Sequence, residues 1–294
     1  MPKVLLSCPV SDRHSHLLDE WLNSLEELTY PNFDVMVVDT TSEDDKYFEL
    51  LKTKKVKNKN LIVERHKWDL KDQPVVMLAK AREKIRNYFL SKDYAFCFFL
   101  DDDIFIPKNS IQKLLSYDKD CIGFFVPIYY KPNQVPCVFK SGEIIMGKGL
   151  DYYSFKELEE YKKFADRFIA KKLTKKEINL IPFIIKDIWH PYLIKPYAVN
   201  LGCLLIKRKV LESVPFRYRE DFAFGEDLWF FAEANDKKFE FWCDVSVRPI
   251  HKNTEWDSVV KKGPKSGGQF YIAIGPAESD KIVFMEHENE NKLG

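Results

Sequence analysis

The hydrophobic pattern of the first 110 residues alternates between strand-like and helix-like stretches. Short apolar runs predict strands over 3–7, 33–38, 61–64 and 94–100. Between them, apolar residues recur at helical spacing over 14–28, 47–51 and 75–90. The alternation indicates right-handed β-α-β crossovers, and the apolar run before Asp101 fits a strand that is covered on both faces. We therefore predict an α/β fold with a mostly parallel central sheet and helices on both faces.

Beyond residue 111 the pattern is mixed. It predicts strands over 122–128, 137–139, 143–146, 199–207 and 239–247, and helices over 155–172, 208–214 and 226–235. Residues 174–177 match a capping box, which marks the start of a further helical turn. The chain shows neither internal repeats nor an obvious linker, so we expect residues 1–294 to form one domain.

Charge and composition narrow the possible partners only slightly. The chain of 294 residues has 46 basic and 45 acidic side chains and a formal net charge of +1. This balance disfavours a globally basic nucleic-acid binder, and we expect no nucleic-acid partner. An aromatic content of 15% excludes a disordered chain.

The cysteines and the apolar runs suggest a compartment. None of the six cysteines belongs to a C-x-x-C pair, and most lie in apolar runs, which predicts buried, reduced thiols. No apolar run is long enough for a signal peptide or a membrane span. We expect a soluble cytoplasmic protein, with peripheral contact to a membrane left open.

Polar clusters follow three of the predicted strands, at 9–13, 39–45 and 101–103. Ligands of such sheets bind beyond the carboxyl ends of the strands, where these clusters meet. Asp101 and Asp103, two residues apart after a buried strand, form a carboxylate pair suited to Mg²⁺ or Mn²⁺ and, through the metal, to a diphosphate. The alternative is a solvated acidic turn, and these residues alone do not decide between the two.

Two later features carry further candidate chemistry. Glu226 and Asp227 follow Gly225 at a predicted helix start, where acidic residues are favoured by the helix dipole in any protein. Either one is also a candidate general base. His251 follows a predicted strand and becomes a candidate metal ligand only if it meets Asp103 in space.

The order of these motifs resembles that of a known family. The matching segments are Val4 to Pro9, Val37-Val38-Asp39, Leu100-Asp101-Asp102-Asp103, Asn200 to Ile206, Gly225-Glu226-Asp227 and His251. Together they resemble a glycosyltransferase of the family 2 type with a GT-A fold, the Rossmann-like nucleotide-diphospho-sugar transferase fold. The resemblance implies a donor half over 1–110, an acceptor and catalytic half over 111–252 and a C-terminal segment over 253–294.

The resemblance also implies a nucleotide-sugar donor, UDP- or GDP-linked, and a divalent metal. On this basis Asp39 holds the base or ribose, and Pro9 and Arg13 line the nucleotide pocket. Arg82, on the helix before the Asp-x-Asp strand, contacts the donor sugar or diphosphate, or instead pairs with an acid. Asp102 is grouped with these donor-binding residues.

The resemblance further implies the roles of the metal ligands and the base. Asp101 and Asp103 match the Asp-x-Asp pair, with Asp103 the better candidate for direct metal contact and Asp101 nearer the ribose or sugar. His251 matches a histidine that binds metal or diphosphate in some members. Asp227 matches the catalytic base of an inverting reaction, with Glu226 as its neighbour and a possible acceptor ligand.

Departures from the family pattern limit the acceptor. The Q-x-x-R-W signature of processive enzymes is missing from the sequence, which favours transfer of a single sugar to a glycan, a lipid-linked or a protein acceptor. The apolar segment 178–197 suggests an acceptor wall, a dimer contact in a possible homodimer or a lipid-facing patch, with packing into the core as the favoured account. Residues 253–269, with Lys261, Lys262 and Lys265, form either a lid over the diphosphate or an exposed basic loop.

Two other functions remain as alternatives. A nucleotidyltransferase shares the sheet and an Asp pair, but its first phosphate loop is normally rich in glycine, and residues 8–13 contain none. A catalytically inactive nucleotide-sugar-binding module is the alternative from a different class.

Overall fold

Strands and helices alternate through the first half of the chain, as the hydrophobic pattern predicts. The computed structural model describes residues 1–41, 45–67, 74–130, 133–142, 151–218 and 225–252. The strands are β1 (Val4–Val10), β2 (Phe33–Asp39), β3 (Leu61–Arg65), β4 (Phe96–Leu100), β5 (Ile104–Phe105), β6 (Cys121–Phe124), β7 (Pro127–Tyr130), β8 (Asn133–Pro136), β9 (Val138–Phe139), β10 (Leu193–Ile194), β11 (Ala198–Val199), β12 (Cys203–Lys207), β13 (Phe241–Asp244) and β14 (Ile250–His251).

Nine α-helices of the described residues lie between the strands along the chain. They are α1 (Ser15–Glu26), preceded by a 3-10 turn over Asp12–His14, α2 (Lys46–Thr53), α3 (Pro74–Leu90), α4 (Ser110–Ser116), α5 (Phe155–Ile169), α6 (Lys175–Ile178), α7 (Ile181–Ile184), α8 (Arg208–Ser213) and α9 (Glu226–Asp236).

A central sheet organises the described residues. Eight strands lie in the order β10-β13-β6-β12-β4-β1-β2-β3, and four of the seven neighbouring pairs are parallel. The predicted α/β class with a mostly parallel sheet is confirmed. Strand β12 runs antiparallel between β4 and β6, with Cys203 opposite Leu100. The start of β12 therefore lies at the same edge as the end of β4.

The core has two layers because helices cover both faces of the sheet. Along β1, Leu5 belongs to one apolar cluster, whereas Val4, Leu6 and Cys8 belong to the other. Helices α3, α8 and α9 pack on the first face, and α1, α2 and α4 pack on the second. Burial on both faces explains why β4 is apolar at every position.

Strand β1 is longer than the strand predicted over 3–7 and continues through Pro9 to Val10. Its pairing with β4 ends at Ser7, while its pairing with β2 continues through Val10. The carbonyl of Val10 accepts from the Thr40 amide, so the backbone polar groups of Val10 point toward β2. Those of Pro9 point the other way, toward β4, where the pairing has already ended. A proline costs no ladder hydrogen bond there.

Two predicted strands of the second half are each divided in the structure. The stretch 122–128 forms the end of β6 and the start of β7, and 199–207 is interrupted by a turn over Asn200–Gly202. In that turn the amide of Cys203 donates to the carbonyl of Asn200, 3.3 Å away. Predicted strand 143–146 and the 253–269 loop lie outside the described residues.

The segment 178–197 packs into the core only in part, so the favoured account is wrong for its first half. Ile185, Leu193 and Ile194 are buried, but the side chains of Phe183 and Trp189 are 73% and 86% exposed. Strand β10 forms one edge of the sheet and anchors the end of the segment. The preceding turns expose several of their apolar side chains, and apolar composition alone did not reveal that.

The prediction of buried, reduced thiols is confirmed, since all six cysteines are buried and free. Burial raises the pKa of Cys97, Cys137 and Cys203 above the usual thiol value. Over the described ranges, no helix is both long and apolar enough to cross a bilayer.

Helix α5 begins at a complete capping box. Ser154 Oγ accepts from the Glu157 amide, and the Glu157 carboxylate accepts from the Ser154 amide at 2.7 Å. Lys140 Nζ also donates to Glu157, at 2.7 Å. The bond from Lys140 and those from Ser154 together lower the pKa of Glu157 to about 2.

We expect Glu157→Gln to lower the free energy of unfolding at pH 7 by up to about 1 kcal/mol, because the carboxylate is half exposed. A depressed pKa stabilises the fold fully above the unfolded value of 4.5, and this contribution is lost as the pH falls toward 2. Urea unfolding should therefore show a smaller difference in free energy of unfolding between the two proteins at pH ~3 than at pH ~7. Glu159→Gln, two residues further along the same helix at an exposed position, is the control, and a difference in stability that does not depend on pH would contradict the assignment.

Candidate active site

The loops that follow β1, β2 and β4 meet at one edge of the sheet. The Asp12 amide donates to Thr41 Oγ1 at 3.2 Å, and the Thr40 amide donates to the Val10 carbonyl at 2.9 Å. The Asp101 amide donates to the carbonyl of Gly202 at 2.9 Å. The predicted convergence of polar clusters at this edge is therefore present, and the turn before β12 joins it.

The three consecutive aspartates after β4 contact three different cationic side chains. Asp101 Oδ1 lies 3.6 Å from Arg82 Nη2, Asp102 Oδ1 lies 2.8 Å from His14 Nδ1, and Asp103 Oδ2 lies 3.0 Å from His251 Nε2. Each carboxylate thus has its own positive or polarisable partner. This arrangement differs from a solvated acidic turn, because Asp102 and Asp103 are buried.

The contact between Asp103 and His251 is positioned by backbone pairing. Strands β5 and β14 pair antiparallel, with Ile104 opposite His251, and the Lys252 amide donates to the Asp103 carbonyl at 2.8 Å. His251 Nδ1 lies 2.7 Å from the Pro127 carbonyl, which can only accept, so Nδ1 carries a proton. The histidine therefore presents Nε2 to Asp103. A meeting of these two residues in space was the condition for treating His251 as a candidate metal ligand.

Charge coupling between these two groups is strong. Burial acts to raise the pKa of Asp103, but the hydrogen bond from His251 holds it below the usual value. Burial acts to lower the pKa of His251, and the bond to Asp103 raises it instead. Each group thus favours the charged form of the other.

The donor set at this point fits a divalent cation in chemistry but does not form a complete shell. A carboxylate oxygen and an imidazole nitrogen suit Mn²⁺, and a backbone carbonyl fixes the tautomer of His251 as it does for metal-bound histidines. No three His, Cys, Asp or Glu side chains of the described residues converge on one metal position. Mg²⁺ and Mn²⁺ commonly bind through one or two protein groups together with substrate phosphates.

Asp102 contacts His14 and is not open to the cleft. Its side chain is 5% exposed, and burial raises its pKa, opposed by the hydrogen bond from His14. A direct contact between Asp102 and a donor would require this side chain to move. In the structure it fixes the 3-10 turn after β1 against the loop after β4.

Arg82 joins the Asp-x-Asp loop to helix α9. Its Nη1 donates to Glu226 Oε1, and its Nη2 faces Asp101. Arg82 and Glu226 are both buried, with 7% and 4% of their surface exposed. Burial raises the pKa of Glu226, and Arg82 opposes the shift. Of the two roles suggested for Arg82 by the sequence, the structure shows the pairing with acids.

Asp227 lies beside this pair and is half-buried. Its Oδ1 accepts from the Leu228 amide at 2.7 Å, within the first turn of α9. Gly225 precedes the turn, where a Cβ would lie 2.8 Å from Asp227 Oδ1. A side chain at position 225 would therefore crowd the carboxylate that the sequence assigned as a base.

The bare backbone of Gly202 makes room for Asp101. A Cβ at position 202 would lie 2.0 Å from Asp101 Oδ2 and 2.8 Å from Asn200 Oδ1. Asn200 Oδ1 is buried and has no hydrogen-bond partner among the described residues. The two oxygens thus converge above the turn, and partial burial raises the pKa of Asp101 to about 6.

Asp39 lies fully buried at the end of β2. Its Oδ1 accepts from the Thr41 amide at 2.9 Å, and its Oδ2 lies 3.3 Å from Arg65 Nε. Burial raises the pKa of Asp39, while Thr41 and Arg65 oppose the shift. Arg65 ends the neighbouring strand and also pairs with Asp45, so it holds this corner of the edge together.

Pro9 and Arg13 lie on either side of the first loop. Pro9 is within β1 and opposite Val38, whereas Arg13 is exposed in the 3-10 turn beside His14. Both are at the predicted edge of the sheet.

Sequence reasoning missed two residues of this site and left a third without a role. His14 and Arg65 were not singled out, and Asn200 was quoted only as part of a motif. Arg65 was detectable in principle, since it is a charged residue at the end of the strand predicted over 61–64. The contact of His14 with Asp102 depends on the strand order β4-β1-β2, which the sequence does not display.

Comparisons with known proteins agree with this architecture. The profile of Glycosyl transferase family 2 matches residues 9–180, more than half of the chain. Among curated proteins, none matches the sequence.

Solved structures of similar fold include two transferases with bound ligands. A mannosyltransferase from Pyrobaculum calidifontis in complex with GDP-mannose and Mn²⁺ has a TM-score of 0.50 and 13% identity; the match covers 85% of this chain and 57% of that one. GalNAc-T7 with UDP, GalNAc and Mn²⁺ has a TM-score of 0.56 and 13% identity, over 85% and 44% of the two chains. The chain thus spans about half the length of these structures. The likeness confirms the GT-A fold.

We expect Arg82→Met to lower the free energy of unfolding by about 3–5 kcal/mol, because it leaves Glu226 buried without its cation. The double variant Arg82→Met with Glu226→Met should recover part of this loss, since both charges are then removed. Urea unfolding of the two single variants and the double variant measures the coupling energy.

Arg86→Met is the control on the same helix, since Arg86 pairs with the more exposed Glu83. It should cost less than Arg82→Met. A double variant no more stable than Arg82→Met would show that the pair is not the source of the loss.

Proposed function

Because the chain belongs to Glycosyl transferase family 2, we propose that it is a metal-dependent glycosyltransferase that moves a single sugar from a nucleotide-diphosphate donor to a hydroxyl acceptor. One observation carries the proposal. The Arg82 guanidinium bridges Asp101 of the Asp-x-Asp loop and Glu226 of the Glu-Asp pair. It thereby fixes the candidate base next to the candidate donor site.

The donor is proposed to lie along the carboxyl edge of the sheet. Asp39 and the residues around it take the nucleoside at the end of β2. The Asp39 carboxylate is fully buried against the Thr41 amide and Arg65, so a direct contact with ribose hydroxyls or a base requires these partners to shift. Arg13 borders the same pocket. The solved structures of similar fold hold GDP-mannose or UDP with GalNAc, which supports a GDP- or UDP-sugar as the donor.

Asp103 and His251 are the proposed protein ligands of a divalent cation, Mn²⁺ or Mg²⁺, with Asp101 on the sugar side. When bound, such a cation supplies positive charge that stabilises the leaving diphosphate. The structures of similar fold that contain Mn²⁺ support this choice. For His251 the role requires the neutral form, with Nδ1–H kept on the Pro127 carbonyl and Nε2 available.

Asp227 is proposed as the general base and Glu226 as a positioning residue. Glu226 is buried against Arg82, whereas Asp227 is half-buried and so is the one that an acceptor can reach. Asp227 takes the hydroxyl proton as the acceptor oxygen bonds to the anomeric carbon. The bond from that carbon to the diphosphate oxygen breaks with its electron pair on the diphosphate, and the configuration inverts.

We expect Asp227→Asn to lower turnover by about 10²–10⁴-fold, because the amide cannot accept the acceptor proton. Binding of the nucleoside diphosphate should change by less than about twofold. Turnover is measured as release of GDP or UDP from a panel of nucleotide sugars and acceptors with Mn²⁺, and binding is measured by calorimetry. A chelator should abolish turnover of the unaltered enzyme.

Asp236→Asn, on the exposed end of the same helix, is the matched control and should keep full activity. Unchanged turnover in Asp227→Asn would remove the base assignment. Parallel loss of binding and turnover would make Asp227 a donor ligand instead.

We expect Gly202→Ala to weaken metal-dependent donor binding by at least about tenfold, because the new methyl group would displace the Asp101 carboxylate. Gly142→Ala is the control, because its Cβ would meet the Tyr197 ring at 2.8 Å, away from the site. Thermal stability and Mn²⁺-dependent donor affinity are measured for both. Equal donor affinity in the two variants would show that Gly202 has no part in shaping the site.

A further inference from the structure

Exposed apolar side chains are concentrated in one short stretch of the chain. Among the described residues, nine large hydrophobic side chains are exposed, and six of them lie between positions 169 and 189. They are Ile169, Ile178, Leu180, Phe183, Ile188 and Trp189, which we call the 169–189 surface. Single exposed apolar residues are common on proteins, whereas a larger apolar patch is typical of an interaction site, so this stretch is the candidate on the described surface.

The backbone of this surface is built from regular, hydrogen-bonded turns. A capping box from Thr174 to Glu177 starts α6, and the amides of Phe183 and Ile184 donate to the carbonyl of Leu180. Asp187 Oδ1 then accepts from the amides of Trp189 and His190, at 3.0 and 3.2 Å. The exposed side chains are therefore displayed by a defined local structure.

The surface is anchored to the sheet on its inner side. Ile185 is buried, and Leu193 in β10 is fully buried. Asp187 pairs with Lys119 at 2.7 Å, and Arg167 at the end of α5 pairs with Glu177 at 2.5 Å. These contacts hold the turns against the domain with their apolar side chains outward.

The charges on and beside the surface are mainly positive. Lys171, Lys172, Lys175, Lys176 and Lys186 are exposed, and none of them forms an ion pair with a described residue. The two acidic residues of the stretch, Glu177 and Asp187, are already neutralised by Arg167 and Lys119. The surface thus combines outward apolar groups with five exposed lysines that form no ion pair within the described part of the chain.

We propose that the 169–189 surface docks on a membrane that contains anionic lipids. Phe183 and Trp189 would enter the interfacial layer, and the lysines would contact the headgroups, as in peripheral amphipathic segments. An indole ring suits this layer because it has an apolar body and a polar N–H.

Charge favours a bilayer over a second copy of the chain as the occupant. A symmetric dimer through this surface would bring two lysine-rich patches together, since a two-fold interface pairs a patch with itself. An anionic bilayer offers the opposite charge over the whole patch. The proposal is independent of the glycosyltransferase assignment, because it uses none of the residues of the candidate active site.

The test is co-sedimentation of the full chain with phosphatidylcholine vesicles, with and without phosphatidylglycerol, and it needs no nucleotide sugar. The unaltered protein should bind vesicles that contain phosphatidylglycerol, and high salt should weaken the binding. Phe183→Ser with Trp189→Ser should lower the partition coefficient at least about tenfold. Lys175→Gln with Lys176→Gln should lower it about fivefold per lysine, and only on anionic vesicles.

Matched controls carry the same changes at exposed positions elsewhere. Leu50→Ser removes an exposed apolar side chain of α2, and Lys55→Gln with Lys57→Gln removes two exposed charges. Both controls should bind vesicles as the unaltered protein does, and circular dichroism should show that every variant is folded.

Three results would overturn the proposal. The first is equal vesicle binding by the Phe183 and Trp189 variant and the unaltered protein, and the second is no binding by either. The third is a dimer in sedimentation velocity without lipid that Trp189→Ser converts to a monomer, which would make the surface an interface between copies. As a second readout, Trp189 fluorescence should shift to the blue on vesicle binding, and Trp189→Phe should remove that shift.

Discussion

A buried guanidinium holds the site together. Arg82 lies between the Asp101 carboxylate and the Glu226 carboxylate, and it connects α3, the loop after β4 and the start of α9. A buried carboxylate without a cation is strongly disfavoured, so the buried Glu226 depends on Arg82 to stay charged in place, whereas Asp101 is only partly buried. The position of Asp227 depends on the same contact, because Asp227 follows Glu226 directly on the first turn of the helix.

Each aspartate of the loop from Asp101 to Asp103 likewise has a basic partner. Asp102 pairs with His14, and Asp103 pairs with His251. The partners come from different parts of the fold, which are the 3-10 turn after β1 and the short ladder between β5 and β14. Three carboxylates thus lie close together at one edge of the sheet, each beside a basic side chain that offsets its repulsion with the others. A bound cation or diphosphate would have to compete with these existing pairs.

Much of this architecture follows from local patterns in the sequence. The strands and helices before residue 111 were predictable because each has its own hydrophobic period, and Asp101 to Asp103 stood out because they end a fully apolar strand. The contacts of His14 and Arg65 were not predictable, since they depend on which strands are neighbours. The turn over Asn200–Gly202 was hidden within an apolar run, and the outward face of Phe183 and Trp189 was hidden because composition does not specify orientation.

The partners of the acidic loop are also far apart along the chain. Arg82 and Glu226 are separated by 144 positions, and Asp103 and His251 by 148. During synthesis from the N-terminus, Asp101 to Asp103 therefore emerge long before Glu226 and His251, and only His14 and Arg82 are available to them. Closing loops of this length costs somewhat more entropy than forming local contacts, so we expect these contacts to form late in folding. The chemical site is then expected to be completed after the strand that carries its aspartates.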